Sequence, residues 1–190
     1  MDLFVIFMGA ALINNIILTQ FLGICPFLGV SKKSDQALGM GAAVIFVVFV
    51  SSILTYCVYQ FLLVPYEITY MQTIAFILII ASLVQFVEMV LKKYSPGLYK
   101  SLGVFLPLIA TNCAVLGTAN NIVTKEFNFP QAVIYALGIS IGFTLVMYIF
   151  STLRVRLDSA PITRSFKGIP IAIIVAAIMA LGFFGLGGLA

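Results

Sequence analysis

Charged residues are so sparse in this chain that they partition it by themselves. Between them lie six apolar stretches: Leu3 to Ser31, Gln36 to Tyr66, Ile68 to Val87, Ser101 to Thr124, Phe127 to Leu153 and Gly168 to Ala190. A bilayer core about 30 Å thick takes roughly 20 helical residues to cross, and each stretch supplies that length. Lipid offers the backbone no hydrogen-bond partner, so a chain this apolar has to satisfy its peptide groups internally. With 63% hydrophobic and 8% charged residues and a mean hydropathy of +1.20, it lies outside the range of soluble domains. The expectation is an all-α integral membrane protein with six transmembrane helices, forming a single membrane domain over 1–190.

The few charges set the topology. Lys32, Lys33, Lys92, Lys93, Lys100, Arg154, Arg156, Arg164 and Lys167 all fall on one side of the six spans, and only Lys125 falls on the other. By the positive-inside rule that side is cytoplasmic and both termini lie outside. Met1-Asp2 provides no basic region ahead of the first apolar run, so that run is expected to stay as a span. The net charge of +4 thus reads as topological anchoring in short loops, and nucleic-acid binding is excluded. Tyr66, Tyr70, Tyr94 and Tyr99 stand where interfacial aromatic residues are expected, Trp being absent.

Histidine is absent as well. That removes His-ligated haem, His-based zinc sites and Ser-His or Cys-His nucleophiles. Neither a Walker motif, a dinucleotide fingerprint nor a soluble-ferredoxin cysteine run occurs. Three cysteines remain, an odd number that argues against a disulfide framework. Two of them share a pattern: Cys25-x-x-Leu28-Gly29 in the first span and Cys113-x-x-Leu116-Gly117 in the fourth. Further pairs follow in the same order, Ala37-Leu38-Gly39 with Ala136-Leu137-Gly138 and Ile74-Ala75 with Ile171-Ala172. Two three-helix repeats, approximately 1–93 and 98–190, account for this order. Three spans per unit is an odd number, so the two copies must be inverted relative to each other.

Helices one and four are then counterparts, and both carry breakers. Gly23 and Pro26 interrupt the first and should push Cys25 away from helical dihedrals; Pro107 and Gly117 flank Cys113 in the other. Unwound backbone at membrane depth is tolerated only where protein or a ligand covers it, so matched breaks point to a site near the midplane, although Pro and Gly kinks are also common in ordinary membrane helices. A thiolate beside freed N–H groups suits a soft metal centre. Two thiolates are half of what a Cys₄-ligated [2Fe-2S] cluster needs. Asn14, Asn15, Thr111, Asn112, Asn120 and Asn121 surround the breaks and can satisfy freed backbone, bond to cluster sulfurs or line a cation path. Glu88, with Lys92 one turn on, is either an interfacial ion pair or part of an ion pathway. Cys57 stands outside the repeated pattern.

Several of these stretches are specific in combination. Asn14-Asn15, Phe21 to Lys33 with its Gly-Ile-Cys-Pro-Phe-Leu-Gly core, Gln85-Phe86-Val87-Glu88-Met89 and Leu102 to Gly117 resemble the A subunits of Rnf electron-transport complexes over essentially the whole chain. The E subunit of the sodium-pumping NADH:quinone reductase is similar too, but Cys25-Pro26-Phe27 and the paired asparagines fit the Rnf branch better. The resemblance implies a subunit of an ion-translocating ferredoxin:NAD⁺ oxidoreductase in the bacterial inner membrane, moving Na⁺ or H⁺. It implies a [2Fe-2S] cluster shared with a homologous E subunit of opposite orientation, with Cys25 and Cys113 as this chain's ligands and no catalytic residue of its own. It also implies the B, C, D and G subunits as further partners. Two other classes fit the bare residue pattern: a secondary transporter or channel without a redox centre, and a structural scaffold.

Overall fold

The computed structural model describes residues 3–30, 34–65, 69–94, 108–109, 111–158, 166 and 168–187. Lys32, Lys33, Tyr66, Tyr99, Lys100, Pro107, Arg164 and Lys167, which bear on the expected topology and breaks, lie outside them, as does most of Leu102 to Ala110. Every regular element among the described residues is helical. We label them α1 (Leu3–Met8, continued by a π-helical turn over Gly9–Ile13), α2 (Ile16–Gln20), α3 (Ile24–Val30), α4 (Ser34–Val58, continued by a π-helical turn over Tyr59–Leu63), α5 (Gln72–Tyr94), α6 (Cys113–Thr124), α7 (Phe129–Asp158) and α8 (Ile169–Gly187). Ala37–Leu63, Gln72–Val90 and Phe129–Leu157 are long and apolar enough to cross a membrane; Leu3–Ile13 and Ile169–Gly185 are shorter apolar helices.

Prolines sit where helices can take them. Pro130 and Pro170 are second in α7 and α8 and Pro26 is third in α3, positions whose N–H has no intrahelical acceptor. Pro26 therefore opens a helix rather than breaking one, and Cys25 lies inside the first turn of α3 instead of outside helical geometry. Gly117 likewise lies within continuous α6. The breaks fall at Asn14-Asn15, Phe21 to Gly23 and Thr111-Asn112. The first expected span is accordingly three helical pieces, and the fourth is described as a helix only from Cys113 onward, apart from Leu108 and Ile109.

The core is the pairing of α4 with α7. A Cβ at Gly41 would press on the Thr144 side chain, and the Tyr56 and Phe129 rings meet edge-on at 5.6 Å, so the two helices run antiparallel. Their buried stripes correspond residue by residue at a spacing of 99 positions: Ala37 and Ala136, Met40 and Ile139, Val44 and Phe143, Val47 and Val146, Val48 and Met147, Ser52 and Ser151, Thr55 and Arg154. Each stripe follows the three- and four-residue steps of one helix face. The last two pairs are polar, and the Ser52 and Ser151 hydroxyls are both buried without a hydrogen-bond partner.

Small residues bring α1 against α7. A Cβ on Gly138 would stand 2.9 Å from the Phe7 carbonyl oxygen, and one on Gly142 would be 2.9 Å from the Ala11 Cα. Helices in lipid associate through such close van der Waals approach, since burial from water contributes little between them. Further along α7, Phe143 lies beside Gly23, Phe150 stacks on Phe27 with ring centroids 4.1 Å apart, and Arg154 reaches the Leu28 carbonyl. The chain thus passes down α7 as α1 and again as α3. Residues 14–23 are an excursion between the two.

Candidate functional site

Two asparagines start the helices on which the site is built. Asn15, in extended geometry (φ −63, ψ 119), accepts a hydrogen bond at its side chain from the Ile17 N–H at 3.2 Å. Asn112 (φ −71, ψ 108) accepts one from the Ala114 N–H at 3.0 Å. Both are N-caps, each satisfying one donor that the first turn leaves free. Their amide nitrogens differ: Asn15 Nδ2 donates to the Ala11 carbonyl at 3.1 Å, whereas Asn112 Nδ2 is buried with no partner. At 3% exposure for Asn112, that leaves an unspent donor next to Cys113.

After α2 the chain turns back on itself. Ile16 packs near Gly117 and Gln20 Oε1 accepts from Asn121 Nδ2 at 3.2 Å, so α2 climbs along α6. Phe21 then adopts left-handed geometry (φ 55), Leu22 returns to Gly117, and the Gly23 N–H donates to Cys113 Sγ at 2.9 Å. Gly23 is required twice at that point. Its φ of +86 disfavours any residue with a Cβ, and a Cβ would lie 2.8 Å from Phe143 Cε2 and 3.2 Å from Ala114 Cβ. This reversal brings the first turn of α3, with Cys25, to the first turn of α6, with Cys113.

The two thiols meet different surroundings. Cys25 is exposed and Cys113 half-buried. Cys113 lines a cavity with Leu22, Thr73, Phe76, Leu116, Gly117 and Asn120, whose rim is tied by Gln72 Nε2 donating to Asn120 Oδ1 at 2.8 Å. Among the described residues no group of three or more His, Cys, Asp or Glu side chains stands ready for a metal ion. What this chain offers is two thiols on adjoining segments, opening outward.

The other sequence candidates divide. Asn14 is exposed and closes the π-helical turn, its N–H donating to the Gly9 carbonyl at 2.7 Å. Thr111 is exposed in the turn before Asn112. Asn120 and Asn121 bridge α6 to α5 and α2. Glu88, half-buried on α5, is about 18 Å of helix axis beyond Phe76 and does not join the cysteines. Cys57, half-buried, follows Tyr56, whose partner Phe129 is about 21 Å along α7 from Phe143.

One residue departs from its sequence expectation. Arg154, which by charge count is a topological loop residue, is 6% exposed and donates from Nη1 to the Leu28 carbonyl at 2.6 Å. A signal existed, since it continues the stripe of Phe143, Met147 and Phe150 at steps of four, three and four.

The family profile described as "Rnf-Nqr subunit, membrane protein" matches residues 3–190. The chain is 52% identical over 188 residues to a protein of Syntrophotalea carbinolica named as the A subunit of an ion-translocating oxidoreductase complex, covering 99% of this chain and 97% of that one. To the A subunit of the Na(+)-translocating ferredoxin:NAD(+) oxidoreductase complex of Acetobacterium woodii it is 49% identical, covering 100% and 98%. The corresponding A subunit of Pseudoalteromonas translucida is 50% identical over 181 residues, 95% and 94% of the two chains.

Proposed function

Because this chain belongs to the Rnf-Nqr family of membrane subunits, we propose that it is the A-type subunit of an ion-translocating ferredoxin:NAD⁺ oxidoreductase of the bacterial inner membrane. It contributes Cys25 and Cys113 to a [2Fe-2S] cluster completed by two cysteines of a homologous E subunit. The relatives' names support the complex. The observation that carries the cysteine assignment is the Gly23 N–H on Cys113 Sγ, which ties the Cys25 segment to the Cys113 helix.

The donor set fits half of such a group. Thiols are its ligands, and two of four are present on segments joined by the Gly23–Cys113 contact. When bound, a [2Fe-2S] cluster supplies a one-electron carrier. This chain's residues do the rest. The Gly23 N–H donates to a sulfur that carries negative charge once ligated, and N–H donors to the sulfurs are among the levers that set such a group's potential. The N-terminal dipole of α6 points its positive end at the same sulfur. Asn112 fixes where α6 begins and keeps one amide donor in reserve beside it. Leu22, Phe76 and Leu116 give Cys113 an apolar lining, and Phe143 packs beside Gly23.

Two inverted three-helix halves frame this site. The antiparallel crossing of α4 and α7, their stripes matching at a spacing of 99 and the paired caps Asn15 and Asn112 support that arrangement. Repeat counterparts on this reading are Asn15 with Asn112, 97 apart, and Ser52 with Ser151. Cys25 and Cys113, 88 apart, are not register equivalents. The six spans place both termini outside, with Na⁺ or H⁺ as the moved ion.

Replacing Cys25 or Cys113 by Ala in the purified complex should abolish the electron paramagnetic resonance signal of one [2Fe-2S] centre and lower iron by about two per complex. A full signal in either variant would sink the assignment. A wild-type complex lacking that centre would leave the transporter or channel reading in its place.

A further inference from the structure

At the end of the α4–α7 pair marked by Tyr56 and Phe129, three helices enclose a second polar space. Tyr56 of α4, with Tyr59 and Gln60 of the π-helical turn that continues it, faces Glu126, Phe127 and Asn128 of the link from α6 to α7 across a cavity of about 240 Å³. That is room for an ion together with several waters. It lies about 21 Å along α7 from the level of Phe143 and Gly23. It is therefore no part of the cysteine site.

The space favours positive charge. Glu126 stands against local preference, because its φ of 50 is the left-handed conformation that residues with a Cβ rarely adopt. It also follows the C-terminus of α6, where the helix dipole disfavours a carboxylate by about 0.3–1 kcal/mol. Lys125 turns elsewhere: its ammonium lies 5.0 Å from the centroid of the Tyr135 ring and 5.9 Å from that of Phe127. Among the described residues Glu126 makes no ion pair. The remaining polar lining carries neutral oxygens, the phenols of Tyr56 and Tyr59 and the amides of Gln60 and Asn128, and the aromatic faces attract cations in their own right. One turn before Tyr56 on the same face of α4, Ser52 is 3% exposed and its hydroxyl has no partner. Ser52, Tyr56 and Tyr59 thus place three oxygens in line at steps of four and three.

This donor set selects the class of ion. Hard oxygen ligands suit alkali and alkaline-earth cations, and sites for Ca²⁺ gather several carboxylates. One carboxylate among neutral oxygens matches a single positive charge, and a proton would need the carboxylate alone. We infer that Tyr59, Gln60, Glu126 and Asn128 hold a partly hydrated alkali-metal cation at this end of the fold, with Glu126 as its counter-charge. The negative end of the α6 dipole adds to that attraction, as helix C-termini do at other membrane cation sites. In the topology proposed above, this end faces outside. The site's place on the route of a moved ion rests on that ion-translocating reading; its capacity to bind does not.

The test is equilibrium binding of radioactive Na⁺ to the purified complex, counted by scintillation proximity in choline chloride at constant ionic strength. E126Q should bind about one Na⁺ fewer per complex than wild type, and Y59F should keep that ion with an affinity weakened several-fold. Equal binding by E126Q and wild type would overturn the inference, and so would a wild-type complex that binds no Na⁺. If E126Q does not assemble, Q60L decides: weakened binding supports the site and wild-type binding overturns it. Failure of the cysteine assignment would show in iron content and not in this count, because the cavity shares no residue with Cys25 or Cys113.

Discussion

Asn15 and Asn112 perform one local task in two places, and the path of the chain after each cap separates the halves. After Asn15 the helix lasts five residues, reverses at Phe21 and resumes as α3, so Cys25 rides on a short helix gripped by Phe150 and Arg154. After Asn112 the helix begins with Cys113 itself and runs 12 residues without interruption. One cysteine is therefore placed by tertiary contacts with α7 and the other by its own helix start. The same start signal is followed by a thiol on a short helix held from outside in one place and by a thiol on a continuous helix in the other.

The largest effect that would break this comparison is at Gly23, where the halves touch. Gly23→Ala meets both a positive φ and Phe143, and should cost about 2–3 kcal/mol, read as a lowered melting temperature in detergent with loss of the proposed iron centre. Gly117→Ala should cost less, about 1 kcal/mol, because its Cβ meets the flexible end of Leu22 at 2.5 Å. Equal shifts would mean that the reversal is not what holds the two segments together.

Next come the caps. Asn15→Ala removes two buried hydrogen bonds and should destabilise by about 2 kcal/mol, while Asn112→Ala removes one and should cost about 1 kcal/mol. Asn112→Ser keeps a cap acceptor and deletes the spare amide donor without adding charge, so its stability should stay near wild type while the midpoint potential of the proposed centre falls. An Asn112→Ser potential equal to wild type would show that the reserve donor has no redox role. The smallest effect is at Phe21. Its exposed side chain and φ of 55 make Phe21→Gly neutral or stabilising by up to about 1 kcal/mol; strong destabilisation would show that the ring, not the turn, fixes the reversal.

Much of this was legible in the residues. Long charge-free runs announced α4, α5, α7 and α8, and the pairing of Cys25 with Cys113 as the residues of interest came from a five-residue echo. The echo has a register of its own. Cys-x-x-Leu-Gly recurs at a spacing of 88, whereas the caps recur at 97 and the buried stripes of α4 and α7 at 99. Ala37-Leu38-Gly39 with Ala136-Leu137-Gly138 had the stripe register. Of the helix breakers, Gly23 does lie in a break, whereas Pro26 and Gly117 lie inside helices, because a proline in a first turn loses no bond and a glycine in a well-packed helix can be carried.

Membrane residence, helical class and the shortage of thiols follow from the sequence alone, because transfer into lipid is a sum over local side chains and a ligand count needs no coordinates. The meeting of Gly23 with Cys113, the unspent amide of Asn112 and the burial of Arg154 needed the tertiary structure. Each depends on which distant groups share a level along α7. That register is set by close contacts at Gly138, Gly142 and Gly23, where a displacement of one residue, about 1.5 Å, would exchange every partner.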